Sequence, residues 1–391
     1  MLADGVLWVG GSSGLARTFF EERVGPLEGE RFICTGVEPD SPEWLLGVPS
    51  LAYVPLDLTS AASVGTLFQR LPHGAGTLVI GARLPLLGSG AHTTLLPQLG
   101  ALVAAAAVAG VRRVLHVSSV AAADHLRAQR GVDEEAQLPP LSEYAGEYDV
   151  FKRCSEEEIG RACEAAGLPH VHLRLSAIFS NEPQCIQAAP PAPPPPPTLP
   201  LLHLPPSHSS SPPAAASRPP PPQVRALALQ AHAGAYLPVL LDANSSRNVC
   251  TALRLLLERL EAEAASVRRL YYYTRPRGPA VPYGEHLVAY RAAHATSPAV
   301  WLPYLAVAML VALWHAAVRH TPLGRLAGAR SVDYLLQVSS RDHTFDNGRI
   351  HRDFPSLAAS EESLVRAFRR IEARALQRRR AGRRRRGTAL W

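Results

Sequence analysis

The sequence predicts an α/β protein in which helices cover both faces of a parallel β-sheet. Short apolar runs alternate with longer helical stretches, polar or glycine residues follow several of the runs, and a glycine-rich turn leads from the first run into the first helix. Strands that alternate with helices form parallel sheets, whose ligands bind at the carboxyl ends of the strands. We therefore expect a doubly wound parallel sheet with a smaller C-terminal substrate-binding region.

The first apolar run, Val6 to Val9, predicts a buried strand, and a glycine-rich turn follows it at once. A strand, such a turn and a helix in succession are typical of Rossmann-type dinucleotide binding. Glycine lets backbone N–H groups approach a pyrophosphate closely, and the helix N-terminus adds partial positive charge. The predicted cofactor contacts of this turn are Gly10, Gly11, Ser13, Gly14 and Leu15.

The second predicted strand, 31–38, ends in a candidate ribose contact. An acidic residue at this point holds the adenosine ribose 2′-OH of NAD, whereas a basic residue accommodates the 2′-phosphate of NADP. Glu38 is acidic and has no Arg or Lys beside it, which favours NAD and leaves NADP as the alternative. The competing interpretation of Glu38 is a solvated loop residue.

The third and fourth predicted strands end in further candidate contacts. The third strand, 51–59, carries Asp57 and Leu58, and we expect the Asp57 carboxylate to bind the adenine amino group. The fourth strand, 77–82, brings the small residue Gly81 to the point where a cofactor lies against the strand end. Both positions agree with a ligand at the carboxyl edge of the sheet.

A long Ala, Val and Leu helix is predicted from about 95 to 109, before a fifth strand. That strand, 113–119, ends in the adjacent residues Ser118 and Ser119. Because it is another strand end, these hydroxyls are expected at the same edge as the glycine-rich turn.

Tyr148 and Lys152 form the strongest chemical signal in the chain. Lys152 is the one lysine among 40 Lys and Arg residues, so a strong preference for Arg is broken once. Positions i and i+4 share a helix face, and an ammonium there would lower the pKa of the phenol toward the range of a general acid/base. The Y-x-x-x-K spacing alone is often accidental, but a guanidinium cannot act as a compact point charge.

Composition excludes several classes of protein. Residues 361–391 carry a net charge of +8 against +7 for the whole chain, which leaves −1 for the remainder and argues against a nucleic-acid-binding body. The five cysteines are widely spaced without a C-x-x-C pair, so neither disulfides nor a metal site is expected, and the compartment is reducing. The first strand begins too early to leave space for a leader peptide, which predicts a cytosolic N-terminus.

Together these motifs resemble the short-chain dehydrogenase/reductase superfamily. Later passages look like its extended branch, and most like the 3β-hydroxysteroid dehydrogenase and sterol-4α-carboxylate 3-dehydrogenase group. The passages that carry this closer resemblance are 174–179, 271–274, 301–304 and 342–346. The resemblance implies an NAD(P)-dependent enzyme that acts on CH–OH groups.

The resemblance also implies a role for each candidate catalytic residue. Tyr148 would exchange a proton with the substrate oxygen, and Lys152 would lower the phenol pKa and hold the nicotinamide ribose. Ser119 would hydrogen-bond the reacting oxygen, with Ser118 as the competing candidate. Two positions depart from the family's pattern: the region of Thr94 lacks the usual Asn, which is a proton-relay residue, and Leu175 replaces a Pro.

We expect four regions along the chain. A dinucleotide-binding domain over 1–185 precedes a Pro-, Ala- and Ser-rich insertion over 186–222, which composition predicts to be disordered or polyproline-like. That insertion is either a surface addition without function or a docking site for proline-binding modules. Residues 223–360 complete the fold, with a strand over 237–242 and a helix over 249–262, and an Arg-rich tail occupies 361–391.

An apolar segment, 299–318, predicts contact with a membrane. Its 20 residues carry no formal charge, yet family-like sequence follows it, so a helix in the interface or a re-entrant segment is favoured over a simple span. A buried core helix is the alternative.

The Arg-rich tail is either solvated, attracted to anionic lipid or a nuclear-targeting signal. We expect the cytoplasmic face of an internal membrane such as the endoplasmic reticulum, or otherwise the cytosol.

The favoured hypothesis is hydride transfer at a secondary alcohol of a small, hydrophobic, sterol-like substrate, by an enzyme that forms homodimers. A second hypothesis is a nucleotide-sugar epimerase or a flavonoid-type ketone reductase on the same scaffold. A third is a catalytically degenerate dinucleotide-binding scaffold, whose insertion and tail bind partners.

Overall fold

The computed structural model describes most of the chain outside the Pro-rich insertion and the Arg-rich tail. The described residues are 2, 4–21, 29–46, 48, 50–71, 74–81, 91–124, 127–144, 146–179, 235–236, 240, 242–280, 285, 300–301, 304–325, 329, 333, 336–338, 341–370 and 373. The predictions for 186–222 and for the tail beyond 373 lie outside these residues.

A seven-stranded parallel sheet forms the centre of the molecule. Its strands are β1 (Val6–Val9), β2 (Phe32–Gly36), β3 (Leu51–Pro55), β4 (Thr77–Ile80), β5 (Arg113–Ser119), β7 (His170–Leu175) and β11 (Leu270–Tyr273). They are ordered β3, β2, β1, β4, β5, β7, β11. Successive strands are therefore added on one side of β1 up to β3 and on its other side from β4 onward. Open α/β sheets bind ligands at such a switch point, and the predicted doubly wound fold is confirmed.

Helices cover both faces of this sheet. One face packs against α1 (Gly14–Glu21) and α5 (Ser246–Glu263), and the other against α2 (Ala61–Thr66), α3 (Ala91–Val108) and α4 (Glu147–Ala165). On the first face Trp8 packs edge-on against Phe19, with ring centroids 5.0 Å apart. Ser245 caps α5 by accepting a hydrogen bond from the backbone N–H of Asn248, which stabilises the first turn.

Three short parallel pairs attach the C-terminal half to the earlier chain. The pairs join β6 (Gln129–Val132) to β13 (His343–Phe345), β8 (Ala177–Phe179) to β10 (Ala243–Ser245), and β9 (Ala235–Tyr236) to β12 (Val300–Trp301). Two short helices, α7 (Gly348–Asp353) and α8 (Pro355–Ser360), follow β13. The second half of the chain therefore contributes β11 to the central sheet and closes smaller pairs around it.

The strand predicted over 237–242 lies mostly outside the described residues. Its two described positions, Leu240 and Asp242, exchange backbone hydrogen bonds with His343 of β13 at 2.7 and 3.1 Å. Asp242 precedes the short strand β10, and its carboxylate is used as an acceptor for the backbone N–H of Phe345 and the hydroxyl of Thr274, both at 2.8 Å. With Arg275 at 2.7 Å as its third partner, this carboxylate organises a junction between segments that are distant in the chain. Hydrophobic periodicity cannot reveal such a junction.

The apolar segment forms helix α6 (Tyr304–His320), one face of which is exposed to solvent. Met309, Leu310 and Leu313 are 64%, 65% and 65% exposed, so the helix is not buried all round. On the opposite side His315 Nδ1 lies 2.8 Å from Asp333 Oδ2. Within the described part of the chain, no helix combines the length and apolarity that a membrane crossing requires.

Four cysteines, Cys34, Cys154, Cys163 and Cys250, are free thiols. The fifth, Cys185, lies outside the described residues.

Candidate active site

The glycine-rich turn after β1 forms a compact cradle, in which the backbone N–H groups of residues 10 to 13 donate to acceptors within the protein. Gly10 adopts a φ of 79°, which a residue with a side chain rarely does, and Ser13 N donates to Gly10 O at 3.0 Å to close the turn. Gly10 N donates to Thr35 Oγ1 at 3.3 Å, which ties the turn to β2. Helix α1 begins immediately afterwards at Gly14, so its N-terminus points toward the same space.

Close approach of neighbouring atoms explains the choice of glycine around this cradle. A Cβ on Gly11 would lie 2.6 Å from Cys34 Cβ, and one on Gly81 would lie 2.8 Å from Trp8 Nε1. Contacts this short would force the backbone apart. The turn and the end of β4 therefore require glycine for packing, in addition to any role in binding a cofactor.

Glu38 turns back toward the glycine-rich turn. A Cβ on Gly36 would lie 2.5 Å from Glu38 Oε2 and would also collide with Ser12 Oγ, so both polar atoms converge on the end of β2. The hydroxyl of Tyr53 donates to the Glu38 carbonyl oxygen at 2.8 Å and holds this loop. A carboxylate beside the turn suits the diol of an adenosine ribose.

Asp57 lies just past the end of β3 and is exposed. Its Oδ1 accepts hydrogen bonds from Thr59 N at 2.8 Å and Thr59 Oγ1 at 2.7 Å, and these bonds hold the pKa of the carboxyl below its ordinary value. Leu58 is buried beside it. The carboxylate therefore stays ionised and fixes its own loop, while its other oxygen remains available as an acceptor.

The two serines at the end of β5 have different surroundings. Ser118 is buried, and its hydroxyl donates to Glu156 Oε1 at 2.5 Å. Ser119 is partly exposed, and its Oγ accepts a hydrogen bond from Ala121 N at 3.2 Å, which caps the turn Val120–Ala123. The Ser119 oxygen thus accepts a bond from its own turn, whereas the Ser118 hydroxyl donates inside the protein.

Tyr148 and Lys152 occupy the first turns of α4, as the spacing predicts. Helix α4 begins at Glu147, packs against the turn that follows Ser119, and presents Lys152 Nζ at 5.8 Å from the centre of the Tyr148 ring. Lys152 is only 7% exposed. Among the described residues no carboxylate lies within ion-pair distance of Nζ, so the ammonium is available to a ligand.

Burial lowers the pKa of Lys152 from 10.5 to about 8, although the Glu156 carboxylate opposes that change. An ammonium with such a pKa is still mostly charged at pH 7, yet it can lose its proton at modest cost. A group of this kind favours an ionised phenol nearby and can take part in proton transfer.

Behind Lys152 lies a buried ionic network that sequence reasoning missed. Arg174 Nη2 and Nε donate to the Glu156 carboxylate at 2.6 and 2.9 Å, and Arg174 Nη1 donates to Tyr272 Oη at 2.5 Å. Burial raises the pKa of Glu156, but Arg174 outweighs it and the net pKa lies below the ordinary value. The alternating polar residues of β7, in a strand buried on both faces, are the signal that could have revealed this network.

The sheet order brings most of the predicted residues to one edge. Gly10 and Gly81 follow the carboxyl ends of the adjacent strands β1 and β4, and Ser119 ends the next strand, β5. Glu38 and Asp57 follow β2 and β3. The arrangement combines a phosphate-type cradle, a carboxylate for a ribose, and a phenol next to an ammonium. It is chemically equipped for proton transfer beside a bound dinucleotide.

Solved structures share this fold over nearly the whole chain. A short-chain dehydrogenase/reductase superfamily protein from Agrobacterium tumefaciens with bound NAD is 14% identical, with a TM-score of 0.59 and coverage of 97% of this chain and 99% of that one. UDP-glucose-4-epimerase from Stenotrophomonas maltophila with bound NAD is 16% identical, with a TM-score of 0.59 and coverage of 96% and 99%.

A partial consensus L-threonine 3-dehydrogenase is 13% identical, with a TM-score of 0.60 and coverage of 95% of this chain and 99% of that one. At these identities the likeness establishes the Rossmann-like α/β fold. No protein-family model and no curated protein sequence matches the chain.

Proposed function

We propose that the protein is an NAD-dependent oxidoreductase that oxidises a secondary alcohol, the 3β-hydroxyl of a steroid-like substrate. The observation that carries this proposal is the chain's single lysine, buried one helical turn from Tyr148 without a carboxylate partner among the described residues. Burial of an unpaired ammonium is unfavourable, so its retention is best explained by a ligand or a reaction that requires it.

The glycine-rich turn and Glu38 are the residues that would hold the cofactor. The turn leads directly into the N-terminus of α1, which favours an anionic group, and the acidic residue after β2 favours NAD over NADP, whose 2′-phosphate would meet a carboxylate. When bound, NAD supplies the acceptor for a hydride from the carbinol carbon. That several solved structures of the same fold hold NAD supports this assignment.

Tyr148, Lys152 and Ser119 would act on the substrate oxygen. The ionised phenol takes the hydroxyl proton as the C–H hydride leaves, so that the alcohol becomes a ketone and two electrons depart together. As an ammonium, Lys152 stabilises the phenolate, and it takes up the phenol's proton only after releasing one of its own, while the Ser119 hydroxyl orients the reacting oxygen. Ser118 is less suited, because its hydroxyl already donates to Glu156.

The exposed apolar face of α6 supports the proposal that the substrate is poorly soluble in water. Met309, Leu310 and Leu313 form an exposed apolar patch on a helix without acidic residues, and Arg319 and His320 end that helix. Such a face suits shallow insertion into the surface of a cytoplasmic membrane leaflet. Leu310→Glu should reduce co-sedimentation with phospholipid vesicles, whereas Val108→Glu, at another exposed apolar position, should not. Equal loss in both variants would remove the patch from the proposal.

The function is tested by reduction of NAD with a panel of 3β-hydroxysteroids in detergent. Wild type should turn over at least one of them, and Tyr148→Phe should lower the rate by on the order of 10³-fold while NAD affinity is retained. Equal rates in the two proteins would remove Tyr148 from the reaction. NAD binding without turnover of any alcohol or ketone would favour a degenerate scaffold.

A nucleotide-sugar epimerase is the second candidate, because solved structures with this fold include three UDP-sugar 4-epimerases. An epimerase returns its hydride to the same sugar, so it produces no net NADH. Incubation with UDP-sugars should leave their composition unchanged if the steroid proposal is correct. Interconversion of epimers without accumulation of NADH would establish the alternative.

A further inference from the structure

The interface between α4 and strands β5 and β7 contains a row of polar side chains beside its apolar contacts. Interfaces between a helix and the inside of a parallel sheet are normally apolar, because both surfaces are removed from water. Here the strands contribute His116, Ser118, His170, His172 and Arg174, and α4 contributes Lys152 and Glu156; all seven are buried. We call this set the polar seam.

The polar seam extends from the candidate active site to the opposite edge of the sheet. Lys152, Glu156 and Gly160 follow one another at intervals of four residues and therefore share the inner face of α4. A Cβ on Gly160 would lie 3.6 Å from His170 Nε2 and 3.7 Å from His172 Nε2, so the helix face reaches these two rings. His170 is the first residue of β7, at the edge remote from the cofactor cradle.

The three histidines contact one another in sequence. His116 and His172 are direct partners across β5 and β7, and their Nδ1 atoms are 3.0 Å apart. The His172 ring meets the His170 ring edge-on, with centroids 5.3 Å apart. One Nδ1 must donate and the other accept, so the two partners adopt opposite tautomers and each retains a second nitrogen for another proton.

The other polar groups at the Glu156 end of the seam already form an ion pair and hydrogen bonds with one another. Glu156 is neutralised by Arg174 and accepts the hydrogen of Ser118, so this end of the seam cannot exchange protons readily. Burial lowers the pKa of His172 to about 4 and that of His116 well below its ordinary value, with His172 and Lys152 adding to the effect at His116. Both rings are therefore neutral at pH 7, the form that accepts a proton at one nitrogen and releases another.

We propose that His116, His172 and His170 carry protons between Lys152 and water at the amino-terminal edge of the sheet. This rests on the proposed function: a bound dinucleotide would cover the open side of Lys152, and the proton taken from the alcohol needs another exit. The charged Lys152 first passes one of its own protons to His116 and then takes up the proton from Tyr148. His116 and His172 hand the released proton on through their shared hydrogen bond, and solvent takes up a proton near His170. The hydride remains on the cofactor, so charge and electrons balance.

The single lysine makes the proposal directly measurable. Protein labelled with ¹⁵N at the lysine side chain gives one ammonium signal, that of Lys152, and NMR reports how fast its hydrogens exchange with water. With NAD bound at pH 6.5, His172→Phe should slow this exchange by on the order of 10²-fold, because a benzene ring occupies similar volume but carries no proton. His343→Gln, at a buried histidine outside the seam, should leave it unchanged.

Two further variants keep the test independent of misfolding and of activity. His172→Gln retains a polar side chain but cannot relay through two ring nitrogens, so it should also slow exchange, and imidazole in the buffer should partly restore exchange in His172→Ala. Unchanged exchange in both His172→Phe and His172→Gln would overturn the proposal. Failure of wild type to oxidise any alcohol would instead overturn the proposed function, since the exchange measurement does not require turnover.

Discussion

The two faces of β5 and β7 are buried to a similar degree but are made of opposite chemistry. The face toward α5 presents Leu115, Val171, Leu173 and Leu175, whereas the face toward α4 presents the polar seam. Side chains alternate between faces along a strand, so a single stretch such as the one from His170 to Leu175 builds both. The apolar face stabilises the fold, and the polar face is retained despite its cost.

The difference between the two faces shows that one set of residues stabilises the fold and another set lies at the candidate active site. Alternation of polar and apolar residues usually indicates a strand with one face in water. In β7 the alternation instead indicates a second interior surface, whose charges are matched by α4. Arg174 and Glu156 compensate one another there, but Lys152 has no such partner among the described residues.

Removing Arg174, the cation that neutralises Glu156, should have the largest effect on stability. Arg174→Met leaves Glu156 buried without a counterion, and we expect the free energy of unfolding at pH 7 to fall by about 3–5 kcal/mol. In this variant burial raises the folded pKa of Glu156 above its unfolded value. The loss is therefore complete above that raised pKa and disappears as pH falls below the unfolded pKa.

Leu173→Ala on the apolar face is the matched control for Arg174→Met. It should cost about 2–5 kcal/mol through loss of packing, with no dependence on pH. Denaturant unfolding of both variants between pH 3 and 8 would distinguish them. Parallel pH profiles would contradict the view that the two faces are held together by different forces.

Lys152→Met should stabilise the protein while it abolishes turnover. The folded pKa of about 8 lies below the unfolded value near 10.5, so folding is opposed by the charge at pH below 8 and not opposed above 10.5. We expect a gain of up to ~3 kcal/mol at pH 7 that vanishes at high pH. Lys152→Arg, which cannot lose its charge, should show no gain, and chemical denaturation across this pH range checks both.

Replacing the two adjacent serines one at a time should affect the rate of the reaction in one variant and the stability of the fold in the other. Ser119→Ala should lower kcat by roughly 10²-fold, because it removes the donor to the reacting oxygen. Ser118→Ala should instead lower the free energy of unfolding by about 1.5–3 kcal/mol, since it removes a hydrogen bond to the ionised Glu156. A larger kinetic effect for Ser118→Ala would reverse the assignment of the two hydroxyls.

The histidine pair should show the smallest change in stability. His116→Leu or His172→Leu alone leaves one buried ring nitrogen without a partner, at a cost of about 1–3 kcal/mol. The double variant removes both nitrogens and should be closer to wild type than either single variant. Thermal unfolding of the four proteins gives the coupling energy, and simple additivity would argue against the shared hydrogen bond.

Much of the architecture followed from local pattern. The predicted strands at Val6–Val9 and Arg113–Ser119 are confirmed, and the helix predicted over 249–262 is observed as Ser246–Glu263. These elements have long or strongly apolar periodic sequences, which tertiary contacts reinforce. The strand predicted over 237–242 lies mostly outside the described residues, and no local pattern predicts the contacts of the Asp242 carboxylate with partners far along the chain.

By itself the sequence determined the order of strands and helices, the glycine-rich turn and the pairing of Tyr148 with Lys152, because each depends on neighbours in the chain. Only the tertiary structure decided which serine is used internally, that Glu38 turns back to the cradle, and that three histidines contact one another beneath α4. Those outcomes depend on which strands become neighbours and which face of α4 they meet. Contacts of that kind join residues distant in sequence, and no local period encodes them.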